Sequence, residues 1–151
     1  MTEQQSDTGQ RIVVGVEGSP SSREALRQAG LTGASVEAIT AWRAPTLVGL
    51  ASPFAESEVS GGDDSRIKAA AENILRTVIA EVAGSPAAVA VKAQVGEGSA
   101  AQLLLDAAKG ASLVVVGSRG HGGLAGTLLG SVGQTLAQHA PCPVLIIRGI
   151  E

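Results

Sequence analysis

Two short, unbroken apolar runs constrain this chain more than any other feature. "RIVVGV" (11–16) and "SLVVVG" (112–117) are rich in β-branched residues and have no polar residue in their interiors. A strand of that kind is buried on both faces, as in a parallel sheet covered by helices. These two strands are therefore expected at the centre of a sheet. Between and around them, strand patterns alternate with helical ones in the order β-α-β-loop-α-β-α-β-α-β. Such alternation implies a parallel sheet joined by right-handed crossovers.

The remaining elements follow from local signals. In "GSPSSREALRQAG" (18–30) Ser19 is a candidate cap, Pro20 suits the first helical position, and Ser21 with Glu24 offers a capping box. Gly30 is the expected stop. "SVEAITAW" (35–42) alternates as a second strand, and 43–64 is a long connection. Over 64–84, Ile67, Ala71, Ile74, Leu75, Val78 and Val82 share one helical face. In 87–95, Val89, Val91, Ala93 and Val95 oppose Lys92 and Gln94, which predicts an edge strand wet on one side. A helix over 99–110 starts with a Ser99/Gln102 capping box and ends at Lys109 and Gly110. A helix over 131–140 and a strand over 142–150 close the pattern. Residues 1–10 read as a disordered tail and 11–150 as one domain.

Composition excludes several functions. Of 151 residues 44% are hydrophobic, yet the chain holds one Trp, one Phe and no Tyr. That leaves no stacking platform for single-stranded nucleic acid. A net charge of −3 with no basic stripe argues against a nucleic-acid surface. The polar start "MTEQQSDTGQ" has no apolar core of a leader peptide, and no apolar run has membrane-spanning length. The single cysteine, Cys142, allows no internal disulfide. The expectation is a cytoplasmic protein with no membrane or nucleic-acid partner.

If 11–16 and 112–117 are neighbours, their exits are "GVEGS" and "VGSRGHGG", both rich in glycine and small polar residues. Ligands of doubly wound sheets sit at such exits, where the winding reverses. Glycine turns and a helix N-terminus offer N–H groups to anions. Gly130 and Ser131 open the last helix, so phosphate is one reading there. Ser131 as a plain N-cap, with Gln134 completing the box, is the other. Both can hold at once.

Gly117, Gly120 and Gly130-Ser131 form G-x2-G-x9-G-S, after "VVVGS" and before "APCPVLIIR". With the opening "IVVGVEGSPSS", this resembles the universal stress protein family, from about Arg11 to Arg148. The resemblance implies a flavodoxin-like, adenine nucleotide alpha hydrolase-like, doubly wound five-stranded parallel sheet. Its implied order is 3-2-1-4-5, with helices on both faces. It implies the ATP-binding branch, with ATP carried alongside Mg2+ or Mn2+. By similarity Gly117 approaches the ribose, while Gly120, Gly130 and Ser131 approach the phosphates. The Ala41 backbone meets the adenine, and Gly15 lines the floor. The intervening Ser118, Arg119, His121, Gly122 and Gly123 belong to the same candidate site. Arg119 is a phosphate contact or a solvated charge, His121 is a phosphate contact, an acid/base group or a solvated side chain, and Gly122, Gly123 and Gly126 supply loop mobility. The resemblance also implies a homodimer paired through the last strand, Val144 to Arg148.

The chain departs from the family pattern at Glu17, where an Asp usually meets the ribose hydroxyls. The extra methylene moves the carboxylate by roughly 1.5 Å, one covalent bond. The segment between Gly30 and Ser35 is also short for the family. Other features are discounted. "GEGSAA" (96–101) fits G-x-G-x-x-A but lacks the later acid, so it reads as a plain turn. "GVEGSPSS" lacks the lysine of a P-loop. His139 suits a helix C-terminus, and Cys142 and Trp42 read as packing residues. Glu58, Asp63 and Asp64 have no metal-ligand spacing.

Three functions remain in view. The first is an ATP-binding, nucleotide-responsive stress regulator. The second is a dimeric interaction module that has lost the ribose contact through Glu17. The third is a slow ATPase or nucleotidyl-transfer enzyme, although no residue set resembles a hydrolysis centre.

Overall fold

The computed structural model describes residues 10–43, 62–83, 91–118 and 130–148. Its elements are β1 (Arg11–Gly15), α1 (Pro20–Leu31), β2 (Ser35–Trp42), α2 (Gly62–Ala83), β3 (Val91–Glu97), α3 (Ala100–Ala108), β4 (Leu113–Gly117), α4 (Ser131–His139) and β5 (Val144–Ile147). The five strands form one parallel sheet in the order β3-β2-β1-β4-β5. The expected architecture and strand order are thus found. Both β-branched runs lie inside the sheet: β1 is the central strand, paired with β2 and β4, and β4 lies between β1 and β5.

Alternation along each strand divides the core between two faces. Ile12, Val14 and Val16 pack with Ala25, Leu26 and Ala29 of α1 and with Leu75, Val78 and Val82 of α2. Val13, Ile39, Val114 and Val116 pack with Leu104 and Ala108 of α3 and Leu136 of α4. Arg11 ties the far end of the sheet. Its guanidinium pairs with Glu37 at 2.9 Å and donates to the Ala107 and Lys109 carbonyls at 3.0 and 2.9 Å. It thereby satisfies carbonyls that the end of α3 leaves free.

Several boundaries differ from the sequence reading, each for a local reason. Ser19 does cap α1, accepting from the Ser22 N–H at 3.1 Å. The Ser21/Glu24 box does not form, because Ser21 lies inside the helix and Glu24 accepts from Arg27 and Gln28. Gly30 does not stop α1. It is buried within the helix, and the chain turns at Gly33, whose φ of +82° favours glycine. The Ser99 cap is present, accepting from the Gln102 N–H, but the Gln102 side chain bonds Asp106 instead of closing a box. α3 ends at Ala108, and Gly110 follows with φ +79°.

β3 is an edge strand and reaches Glu97 rather than Val95, because it stays paired with β2 up to Trp42. The Gly98 N–H then donates to the Trp42 carbonyl at 2.7 Å. Lys92 and Gln94 are exposed as expected, and Val91 and Val95 are half-buried, but Ala93 is exposed too. Residues 87–90 of the expected strand lie outside the described residues. β5 covers only Val144–Ile147 of the expected 142–150. Residues 1–9 of the expected tail and 44–61 of the long connection also lie outside the described residues. The Gln10 carbonyl is placed and accepts from the Ser35 N–H at 3.1 Å.

Candidate functional site

The parallel pairing of β1 with β4 brings their C-terminal exits side by side. One exit is Val16–Ser19 and leads into α1. The other is Gly117–Ser118, and the chain returns at Gly130 into α4. This is the place where the winding reverses and where doubly wound sheets hold ligands.

At the β1 exit the backbone is held by side chains. The Val16 N–H continues the β1–β2 ladder by donating to the Ile39 carbonyl at 2.9 Å, and the Val16 carbonyl accepts from buried Thr40 Oγ1 at 2.8 Å. Gly18 takes φ +98° and donates its N–H to Ser22 Oγ at 3.1 Å. Arg23 Nη1 donates to the Gly18 carbonyl. Glu17 stands on this turn, partly buried. Its Oε2 is shut from solvent and has no hydrogen-bond partner among the described residues.

The β4 exit is held by backbone hydrogen bonds. The Ser118 N–H donates to the Ile147 carbonyl at 2.7 Å, and the Ser118 carbonyl accepts from the Gly130 N–H at 2.8 Å. Gly130 is the N-cap of α4 and supplies no side-chain cap. The Gln134 N–H closes the first helical bond onto the Gly130 carbonyl. The N–H groups of Ser131, Val132 and Gly133 have no acceptor within the helix. Two points are corrected here. Ser131 is the first helical residue and not the cap. Gly130 spends its own N–H on Ser118, so the donors that α4 can offer an anion lie one to three residues later.

The candidate glycines also have packing reasons. A Cβ on Gly117 would stand 2.2 Å from Ser21 Oγ and 2.9 Å from the Ser21 carbonyl carbon, so α1 rests directly on β4 there. A Cβ on Gly15 would meet Leu104 Cδ1 at 2.9 Å. Ala41, half-buried near the end of β2, is in register with Gly96. Gly15, Glu17, Ala41, Gly117, Ser118, Gly130 and Ser131 thus fall at the C-terminal side of the sheet. Arg119, Gly120, His121, Gly122, Gly123 and Gly126 lie outside the described residues.

Discounted features have ordinary roles. Gly96 lies against Leu103, Gly98 takes φ +131°, and Ser99 caps α3, which is the plain turn expected of "GEGSAA". Burial pushes the Cys142 thiol up, opposed by the Arg11 charge. No group of three His, Cys, Asp or Glu is poised for a metal among the described residues. A cavity of about 330 Å3 at the opposite end of the sheet is lined by Arg11, Glu37 and Lys92. Its Arg11 is already committed to Glu37 and the α3 carbonyls.

The sequence reading missed Arg23, Ser22 and Thr40. The cue was present in "GSPSS", where more hydroxyls stand at one helix start than a single cap requires.

A five-stranded doubly wound parallel sheet with helices on both faces defines a broad class of α/β proteins. Within that class, the chain belongs to the universal stress protein family, whose model matches residues 9–148. It is 36% identical over 141 residues to a universal stress protein of Mycobacterium tuberculosis, covering 91% of this chain and 44% of that one. It is 33% identical over 150 residues to one from Mycolicibacterium smegmatis, covering 96% of this chain and 50% of that one. The chain therefore spans about half the length of these curated relatives. Among solved structures, UspA from Lactobacillus plantarum shares the fold with a TM-score of 0.75 at 24% identity, covering 93% of this chain and 99% of that one. A universal stress protein in complex with cAMP gives a TM-score of 0.63 at 28% identity, covering 95% and 99%. No helix among the described residues is long and apolar enough to cross a membrane.

Proposed function

We propose that this chain binds an adenine nucleotide, ATP with Mg2+ or Mn2+, at the paired exits of β1 and β4. It acts as a nucleotide-responsive regulator in the cytoplasmic stress response rather than as a fast enzyme. The observation that carries this reading is complementarity among the described residues: one end of the sheet holds an acceptor with no donor and helix-start amides with no acceptor in their own helix. Glu17 Oε2 is buried without a donor among the described residues. The first three amides of α4 have no helical acceptor, and their cap has no side chain. A nucleotide supplies ribose hydroxyls for the first and phosphate oxygens for the second, where the helix dipole favours negative charge. The cAMP-bound relative supports an adenine nucleotide as the ligand class. By the family resemblance, Gly117 and Glu17 stand near the ribose and Ala41 near the base.

Equilibrium binding of ATP, with and without Mg2+, tests this on the purified chain. Saturable binding below millimolar concentration is expected. Gly130→Asp places a carboxylate where it caps the α4 amides. It should weaken ATP binding about tenfold or more while folding stability rises by a few tenths of a kcal/mol. No saturable binding by the unmodified chain sinks the reading.

A second reading, a dimeric interaction module, rests on β5. This strand is a sheet edge, and its Leu145 is 42% exposed. We propose that a second copy pairs along Val144–Arg148. Sedimentation of the chain and of Leu145→Lys tests it, with a shift to monomer expected in the variant.

A further inference from the structure

We propose that Arg23 is a positioning residue for the Glu17 carboxylate, and that it sets how sharply the site separates ribonucleotides from 2′-deoxyribonucleotides. This rests on the nucleotide reading above. Among the described residues Glu17 has no bond at Oε2, so its aim depends on the turn that carries it. The weak point of that turn is Gly18, at φ +98°, because glycine swings more freely than any other residue. Both of its peptide groups are fastened. Ser22 Oγ accepts from the Gly18 N–H and Arg23 donates to the Gly18 carbonyl.

The two fastenings differ in kind. Ser22 is fully buried, and its hydroxyl also donates to the Ser19 carbonyl at 3.0 Å, so it is fixed by α1 itself. Arg23 reaches in from a side chain that is 40% exposed, and its Nε is held by Glu81 of α2 at 2.8 Å. The carbonyl beside Glu17 is therefore held through a second helix. A buried carboxylate oxygen aimed at a ribose hydroxyl penalises a ligand that lacks the hydroxyl, because the oxygen then stays unpaired. Loosening Gly18 lets the carboxylate relax away, and the penalty shrinks.

The test is equilibrium binding of ATP and of 2′-deoxy-ATP to the full chain and its variants. The unmodified chain should prefer ATP by about tenfold or more. Arg23→Gln should cut that ratio about threefold or more, and Arg23→Lys, which keeps a donor for the carbonyl, should retain most of it. Glu81→Gln frees the guanidinium without deleting it and should lower the ratio in the same direction by less. Arg27→Gln removes a surface pair with Glu24 on the same helix and should leave the ratio unchanged. A purely structural role for Arg23 would weaken both nucleotides together. An unaltered ratio in Arg23→Gln and Glu81→Gln overturns the proposal. Equal affinity of the unmodified chain for both nucleotides overturns the Glu17–hydroxyl contact and the proposal with it. Failure to bind either nucleotide overturns the nucleotide reading itself, a result distinct from the other two.

Discussion

The two strand exits lie next to each other and are built on opposite principles. At the β1 exit, Thr40, Ser22 and Arg23 clamp the backbone with side chains, and the turn presents one carboxylate. At the β4 exit, Ser118 and Gly130 hold the chain through main-chain bonds, and α4 begins at a cap with no side-chain hydrogen bond. Aiming a side chain requires a rigid turn beneath it. Offering a backbone requires that side chains stay out of the way. The sites of failure should therefore differ: crowding at β4 and loss of polar fastenings at β1.

The largest effect is expected from crowding. Gly117→Ala places its Cβ within 2.9 Å of the Ser21 carbonyl carbon, which cannot move without shifting α1. The variant should lose about 2–3 kcal/mol in chemical denaturation. Gly15→Ala is the contrasting change, because it meets side-chain methyls of Leu104 and Val116 rather than backbone, and it should cost about 1 kcal/mol. Equal losses would erase the distinction drawn between the exits.

Thr40→Val comes next. It keeps the shape of the side chain and strands the Val16 carbonyl, with Thr40 only 3% exposed. The expected loss is about 1–2 kcal/mol. Its ATP affinity should fall more than that of a Ser35→Ala control at the far end of β2.

The smallest effect belongs to Glu24, on the outer side of α1. The hydrogen bond from Gln28 holds its carboxyl below the usual range, helped by Arg27 and opposed by partial burial. A folded pKa below the unfolded one gives stability above about pH 4.3, lost as pH falls through the folded value. Glu24→Gln should cost a few tenths of a kcal/mol at neutral pH and nothing in stronger acid, by parallel denaturation. A larger loss would mean that this surface pair also supports the Arg23 fastening one residue away.

The sheet was legible in the sequence because its signals are strong and local. β1 after Arg11 and all of β4 are apolar, and a run of that kind fits a strand covered on both faces. Lys92 and Gln94 marked β3 as an edge in the same way. Helix ends were read less well where two signals competed. Gly30 and Gly33 both fit a stop, and only the packing of Gly30 into the core chose between them. Ser131 and Gly130 both fit a cap, and the bond from Gly130 to Ser118 decided it. The candidate site was legible as a pair of exits and as the Glu17 departure. Arg23 was not, because its partners are a carbonyl five residues earlier and a carboxylate on another helix. No spacing rule in the sequence links residues 23 and 81.

The place of β1 in the sheet also sets a timetable for synthesis. β1 emerges before the other four strands of this sheet, yet one of its neighbours is β4, about a hundred residues later. The Arg11 guanidinium likewise waits for the carbonyls of Ala107 and Lys109. Until then β1 lacks its β4 neighbour, and that edge stays open to any passing strand. The nascent chain is thus most exposed to mispairing between the emergence of β2 and that of β4.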